Sequence, residues 1–407
     1  MRLVNVCPVS PCPPVSGGQV RSYHLLDRLR RRHELSLLCF YRSAEEQESL
    51  RWLATQGWDV RAVPFARLHP AWPATWGVLG RHLRALLGRE PAGVTHWNQP
   101  AMRVAVAEVA ARADVVHTEC SYLAPYLLNL TGSATRITTA LDLYSVTLRR
   151  QLNVATDWRL RWRLRRELPR FTRYEAWIAG QVDNVLVMSE VDAALLRRMN
   201  PAGHVVVVPN GVDTQVLRFE HVTRIGRHVL FVGSPGHAPN LDAANWVLTG
   251  IWPQLRRRCP EATLTLVNMD VPLVRTLADG QPGVDVTGQV PDVVPYYRRA
   301  DLCLVPLRAG SGTRLKILEA MALGVPVLST TVGVEGLSVE PGHHIALADT
   351  TKAFTDETIA LLKNGARRHA LAVAARALVE EVYEWDHIAD KLEAVFYEAV
   401  TRHAALY

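Results

Sequence analysis

The sequence begins twice. A short apolar run leading into a loop with proline and glycine, and then into a helix, occurs at Leu3–Val6 and again at Val229–Gly233, about 225 residues later. Few architectures accommodate that recurrence. Each start reads as the first strand and helix of a doubly wound parallel sheet, and 407 residues suit two such lobes better than one domain. The chain is therefore expected to be α/β, with two Rossmann-like lobes facing a central cleft. The first should cover 1–224, the second 225–385, and a last helix, 386–407, should cross back to the first lobe. Apolar runs continue the alternation: 35–40, 114–116, 138–143, 185–188 and 205–208 in the first half, then 264–267, 284–287, 302–305 and 325–329. Ser189 reads as the N-cap of a helix over 192–199, a second helix is expected over 241–248, and 215–227 reads as the linker. Trp52–Gly93, with tryptophans among prolines and arginines, suits a helical insertion that carries no chemistry of its own.

Asp301–Glu335 carries the densest chemistry. Gly310, Ser311, Gly312 and Thr313 form a turn whose backbone N–H groups can approach an anion, and a helix beginning near Leu315 adds the positive end of its dipole. Arg314 and Lys316 stand at that helix start. Glu319 lies three residues beyond Lys316 on the same face, while Leu315, Leu318 and Met321 recur at buried spacing. A cation pair beside such a turn suits a diphosphate, and a carboxylate one turn deeper suits the two hydroxyls of a ribose. The competing reading is a solvated Lys316–Glu319 ion pair, which would not need the turn. Gly324 reads as the helix C-cap before the next strand.

This stretch resembles the C-terminal signature of the retaining glycosyltransferases of family 4 (glycosyl transferases group 1), which have the GT-B fold. Many members carry E-x7-E, and here Glu319 matches the second glutamate while Ser311 occupies the first position. A branch of the family reads GSGTRLKILEAMA-like at this point. PNGVD at Pro209–Asp213, FVGS at Phe231–Ser234 and VTGQVPDVVPYYRRADLCLVPL at Val286–Leu307 extend the similarity over nearly the whole chain. The resemblance implies glycosyl transfer from a nucleotide-diphosphate sugar, with retention and without a metal or other cofactor, in polysaccharide, glycoconjugate or natural-product assembly. A nucleotide-sugar epimerase of the same shape and a binding scaffold without turnover are the alternatives.

The same resemblance distributes further roles. His117 matches the first histidine of an H-x-H pattern whose second member lies beside the transferred sugar, and Glu119 stands at that second position; each also has a structural reading, the usual one for His117 as a bonded strand-end histidine and an equal one for Glu119 as an arginine partner. Asp142 fits the start of D-x-H-N, with Tyr144 and Ser145 departing from it, so Asp142 and Tyr144 are assigned to the acceptor side. Gly17 and Gly18 approach the donor or form a simple turn. Arg21, assigned with Asp142 and Tyr144 to the acceptor side, could reach the same anion, or pairs with Asp27 or Glu34. Where the family places an arginine and a lysine after the second-lobe start, this chain offers Gly233, Ser234, His237 and Asn240, so charge neutralisation should fall on Arg314 and Lys316. Gly288 and Val290 lie where the base is seated.

Composition narrows the partners. Hydrophobic residues at 48%, charged residues at 21% and mean hydropathy of +0.01 describe a globular chain. No apolar run reaches the ~18 residues of a membrane span, and the N-terminus lacks a signal-peptide pattern, so a cytoplasmic protein is expected. Its six cysteines are scattered and read as reduced packing residues. The net charge of +7 comes with a concentration of arginine and tryptophan at Arg149–Arg173. That stretch reads either as a solvated basic helix or as a peripheral contact with the inner face of the membrane. No nucleic-acid motif, D-x-D, HExxH, GxSxG or Walker A pattern occurs, so neither nucleic acid nor a bound metal is expected.

Overall fold

The computed structural model describes residues 1–65, 90–130, 132–155, 157–220, 226–234, 236–309 and 314–405. Gly310, Ser311, Gly312 and Thr313, and most of the Trp52–Gly93 insertion, lie outside them. The chain divides into two compact units, Met1–Pro209 with Asp386–Tyr407, and Asn210–Trp385.

The first unit is built on seven strands: β1 (Arg2–Cys7), β2 (Glu34–Tyr41), β3 (Asp59–Pro64), β4 (Val115–Thr118), β5 (Thr135–Ala140), β6 (Asn184–Val187) and β7 (Val205–Val207). They run parallel in the order β3-β2-β1-β4-β5-β6-β7. β4 and β6 are buried at every residue, because helices cover both faces of a parallel sheet and a continuous apolar run can satisfy both. Ser16 caps the Gly17–Arg30 helix by accepting from the Gln19 N–H, and Ser189 caps Glu190–Met199 by accepting from Asp192. Leu25, Leu26 and Leu29 bury the inner stripe of the first helix.

The second unit repeats the plan with β8 (His228–Val232), β9 (Thr263–Val267), β10 (Val284–Val286), β11 (Leu302–Val305), β12 (Val327–Ser329) and β13 (Ala346–Leu347). These are parallel in the order β10-β9-β8-β11-β12-β13. β11 also anchors the start of the sheet: Asp301 accepts from the N–H groups of Gly226, Arg227 and His228. Gly324, at φ 72°, ends the Leu315–Ala322 helix in the left-handed conformation that a C-cap turn requires.

Several boundaries differ from the sequence reading, each for a local reason. The strand read over 138–143 is β5, which begins at Thr135 and stops at Ala140 because its register is set by β4 and β6. Residues 141–143 turn instead into the Tyr144–Val154 helix. The helix read over 241–248 starts at Ala238, with Pro239 in its first turn, and passes through a π-turn at Val247–Ile251. Pro253, which has no N–H to donate, follows that turn in the Trp252–Arg258 helix. Arg149–Arg173 spans two helices, Tyr144–Val154 and Trp158–Ile178, the second capped by Asp157 accepting from Leu160 at 2.7 Å.

The first unit ends at Pro209, earlier than residue 224. Asn210 onward is tied into the second unit by Val212 N–H donating to Tyr383 O (2.7 Å), Trp385 N–H to Val212 O (3.2 Å) and Thr214 N–H to the buried Glu384 (2.8 Å). The Trp385–Ala404 helix leaves that unit and groups with the first, where Arg28 bonds Asp386 (2.5 Å) and Arg32 bonds Asp390 and Glu393. Among the described residues no helix is long and apolar enough to cross a membrane, and all six cysteines are free.

Candidate functional site

In an open parallel sheet, ligands gather outside the carboxyl ends of the strands where the strand order reverses. That point lies between β8 and β11 in the second unit and between β1 and β4 in the first. Of the residues singled out in the sequence, Gly233, Ser234, Asn240, Arg314, Lys316 and Glu319 gather at the first point and His117, Glu119 and Arg21 at the second, while Gly17, Gly18, Asp142, Tyr144, Gly288 and Val290 lie elsewhere.

At the β8–β11 point, Lys316 in the first turn of the Leu315–Ala322 helix folds back over β8. Its Nζ donates to Val232 O (2.6 Å) and Asn240 Oδ1 (2.9 Å) and lies 5.1 Å from the centre of the Phe231 ring. An ammonium has three donors, so one direction is left for a ligand. Burial, with Arg314 nearby, pushes the amine down to about 8. Glu319 does not pair with Lys316. Its Oε2 accepts from the buried Tyr297 hydroxyl at 3.3 Å, and burial raises its pKa. A solvated surface pair is therefore not what this helix displays.

Arg314 is buried at the N-cap position of the same helix. The proton affinity of His237 is lowered by burial first, then by Arg314 and Lys316, so three basic groups act on one another here. Asn240 ties the cluster together: it accepts from Lys316 while its Nδ2 donates to Ser234 O at 3.3 Å. Gly233 has a packing reason to be glycine, since a Cβ would meet Met269 Sδ at 2.2 Å. Gly288 is exposed, with Asp270 Oδ2 3.8 Å from where a Cβ would stand, and Val290 N–H donates to Asn268 Oδ1 at 2.8 Å. Asn268, a non-glycine residue at φ 59°, holds this segment to the end of β9. The sequence reading missed it, although an asparagine directly after an apolar strand is the residue type that tolerates such a turn.

At the β1–β4 point the polar groups are buried. Asn5 Nδ2 donates to His117 Nδ1 (2.8 Å) and to Glu119 Oε1 (3.2 Å). With Nδ1 accepting, His117 Nε2 carries the proton and donates to Thr139 Oγ1 at 2.7 Å. Burial lowers the affinity of the ring for a second proton. His117 is thus committed through both nitrogens to strand neighbours. Glu119 is 2% exposed and its Oε2 has no hydrogen-bond partner among the described residues. Arg21 shares this buried region, pushed down to about 10 by burial against the opposing effect of Glu119, and its Nη1 donates to Pro209 O at 2.6 Å. Neither sequence-level pairing forms, because Asp27 holds Arg30 and Arg31 and Glu34 holds Arg2. Asn5 was not singled out, yet a lone amide inside the apolar run LVNVC was its visible signal.

Gly17 and Gly18 are the first two residues of the helix, not a loop before it. Gly18 also packs closely, with Leu141 Cδ1 at 3.3 Å from where a Cβ would stand. Asp142 is exposed after β5, and Tyr144 stacks on Phe171 (5.0 Å, 24°) and meets Tyr122 edge-on (6.0 Å). Beneath them Glu175, buried and unremarked in the sequence, accepts from Ser145 N–H and Oγ–H.

Comparison with known proteins supplies the family. Residues 15–216 match the family described as Glycosyltransferase Family 4, and 226–364 match Glycosyl transferases group 1. A phosphatidyl-myo-inositol mannosyltransferase of Mycobacterium leprae is 28% identical over 206 residues, 48% of this chain and 54% of that protein. A D-inositol 3-phosphate glycosyltransferase of Rhodococcus jostii is 31% identical over 182 residues, 40% of this chain and 38% of that protein. The matches thus span about half or less of those relatives. Among solved structures, sucrose-phosphate synthase from Thermosynechococcus elongatus superposes with a TM-score of 0.72 at 17% identity, covering 99% of this chain and 100% of that one. Two parallel-sheet Rossmann-like units, with two matching family regions that together span most of the sequence, make this chain a member of the GT-B glycosyltransferases of group 1 and family 4.

Proposed function

We propose that the protein transfers a glycosyl group from a nucleotide-diphosphate sugar to an acceptor hydroxyl in glycoconjugate assembly, with retention and without a metal ion. The observation that carries this reading is the cluster of Lys316, Arg314 and His237 at the carboxyl ends of β8 and β11. There the proton affinities of Lys316 and His237 are depressed by burial and by neighbouring cations, as suits a site that receives a diphosphate. Glu319, one turn deeper, takes the ribose hydroxyls, and Gly288–Val290 borders the base. Support for a nucleotide donor also comes from a structural neighbour, Anabaena Alr3699/HepE, solved in complex with UDP.

In the transfer, the bond from the anomeric carbon to the diphosphate oxygen breaks and a bond from that carbon to the acceptor oxygen forms. The acceptor proton passes to the departing phosphate on the same face. Lys316 and Arg314 stabilise the charge that leaves with the nucleotide, and Glu119 is the carboxylate we assign to the positive charge that develops on the sugar ring. On the acceptor side stand Asp142 and Tyr144. A peripheral contact with anionic lipid through the exposed tryptophans and arginines of Trp158–Ile178 would bring a lipid-linked acceptor within reach.

The test is a panel of nucleotide sugars incubated with the protein and sampled for free nucleoside diphosphate. Release with a preference for one sugar is expected. Return of an isomerised nucleotide sugar without net release would indicate an epimerase, and binding without turnover a scaffold; either outcome overturns the proposal.

A further inference from the structure

The Tyr144–Val154 helix has no side-chain cap of its own: its N-cap residue is Leu143, and the first N–H groups of any helix need partners from elsewhere. They find one on the next helix. Glu175, 2% exposed on Trp158–Ile178, accepts from Ser145 N–H at 3.3 Å and from the Ser145 hydroxyl, and the Tyr144 backbone N–H is near enough to favour its charged form. One turn earlier on that helix, Phe171 stacks against the Tyr144 ring. Ser145, through its N–H and hydroxyl, and Tyr144, through its ring, are thus gripped from one neighbouring helix, three and two residues after the exposed Asp142.

We propose that Glu175 is a positioning residue, which from the Trp158–Ile178 helix fixes the Asp142–Ser145 segment at the carboxyl end of β5 for the acceptor. The acceptor assignment rests on the transferase reading above; the grip itself does not. The carboxyl faces Ser145 and Tyr144 from one helix, Asp192 from another, and Tyr174 from its own. Burial raises its pKa to about 7, only partly offset by the bonds from Ser145 and the nearby Tyr144 N–H.

The sign follows from linkage. A carboxyl whose pKa is higher when closed in than when hydrated is held most firmly in its neutral form, and the grip weakens as pH rises through 7. With about 7 closed and 4.5 open, local opening becomes about tenfold more favourable between pH 6 and pH 8. Glutamine reproduces the neutral acid, accepting from the Ser145 N–H and donating to its hydroxyl.

The test is amide hydrogen exchange of residues 144–147 in the full chain, corrected for intrinsic rates, at pH 6 and pH 8. Wild-type exchange should rise about tenfold between them. Glu175→Gln should stay protected at both, and Glu175→Ala should exchange fast at both. With methyl glycosides of mannose, glucose and N-acetylglucosamine as acceptor probes, Glu175→Ala should raise the acceptor KM and leave the donor KM unchanged, with Glu175→Gln restoring it. Wild-type protection that ignores pH, or a Gln variant that exchanges like the Ala variant, overturns the proposal; so does an Ala variant with an unchanged acceptor KM. The exchange arm needs no turnover, so a failed donor panel would remove the transferase reading and leave the grip to be judged separately.

Discussion

Lys316 is an ammonium placed where its charge is disfavoured, between a carbonyl, an amide oxygen and an aromatic ring, and that placement makes it testable. If it holds a diphosphate, Lys316→Ala should lower kcat/KM by roughly 10²-fold or more, the effect of removing one charge stabiliser, and added magnesium should not restore it. Ordinary turnover in that variant would remove Lys316 from the site. Because the amine sits at about 8, nucleoside diphosphate binding should weaken about tenfold between pH 7 and pH 9 as its proton is lost, and Lys316→Ala should flatten that dependence in calorimetric titrations. Glu319→Gln should cost nucleotide binding about 1.5–3 kcal/mol with the fold intact, the worth of a charge-assisted hydrogen bond; an unchanged affinity would exclude the ribose assignment. The sequence displayed the Lys316–Glu319 spacing but not its consequence. The partners that pull Lys316 away, Val232 and Asn240, are 84 and 76 residues distant, and only the closing of the sheet brings them together. Asn5 and Glu175 were hidden in the same way, their partners lying 112 and 30 residues off.

Strands were the easiest elements to read, because a parallel sheet covered on both faces demands uninterrupted apolar runs; β11 falls on the residues expected, Leu302–Val305. The Arg149–Arg173 stretch was harder, since composition does not reveal where a helix breaks or which face it shows. Trp158 is 70% exposed, Trp162 61% and Trp177 48%. At ~100° per residue these three, with Arg166, Pro169 and Arg173, fall within an arc of about 100°. The helix has two carboxylates: Glu167 is engaged by Arg170 and the Ala92 N–H, and Glu175 is buried. Arginines beside exposed indoles, as in Arg159 over Trp158 and Arg166 over Trp162, fit the headgroup region of an anionic bilayer. The protein should therefore co-sediment with phosphatidylglycerol vesicles more than with phosphatidylcholine vesicles, and less so as salt rises. Trp158→Ala combined with Trp162→Ala should reduce that binding without lowering Tm. Equal partition to both vesicle types would return this helix to the solvated reading.

At the scale of the molecule, the doubled start of the sequence announced two units, and the last helix, read as 386–407 crossing back to the first lobe, groups with the first unit from Asp386 onward. The division turns on Trp385. On its amino side Tyr383 and Glu384 secure Val212 and Thr214 in the second unit, and on its carboxyl side the helix belongs to the first. Ile388, Leu392, Val395 and Phe396 are buried there, with Phe396 against the His117 ring (5.6 Å) and Tyr397 against His33 (6.1 Å). Four such side chains at about 1.5–3 kcal/mol each contribute on the order of 6–12 kcal/mol, as an upper estimate. That is comparable with the entire stability of a domain, about 5–15 kcal/mol. The ion pairs of Arg28 and Arg32 add less, being partly exposed. A chain ending at Trp385 should accordingly lose the first unit while the second, whose own core is complete without the helix, stays folded. Calorimetry should then show one unfolding transition where the full chain shows the contribution of both, and nucleoside diphosphate should still bind, because Lys316, Arg314 and Glu319 all lie in the retained unit. Persistence of the first unit's transition would mean that its helix is an accessory, and loss of nucleotide binding would mean that the second unit does not hold the donor by itself.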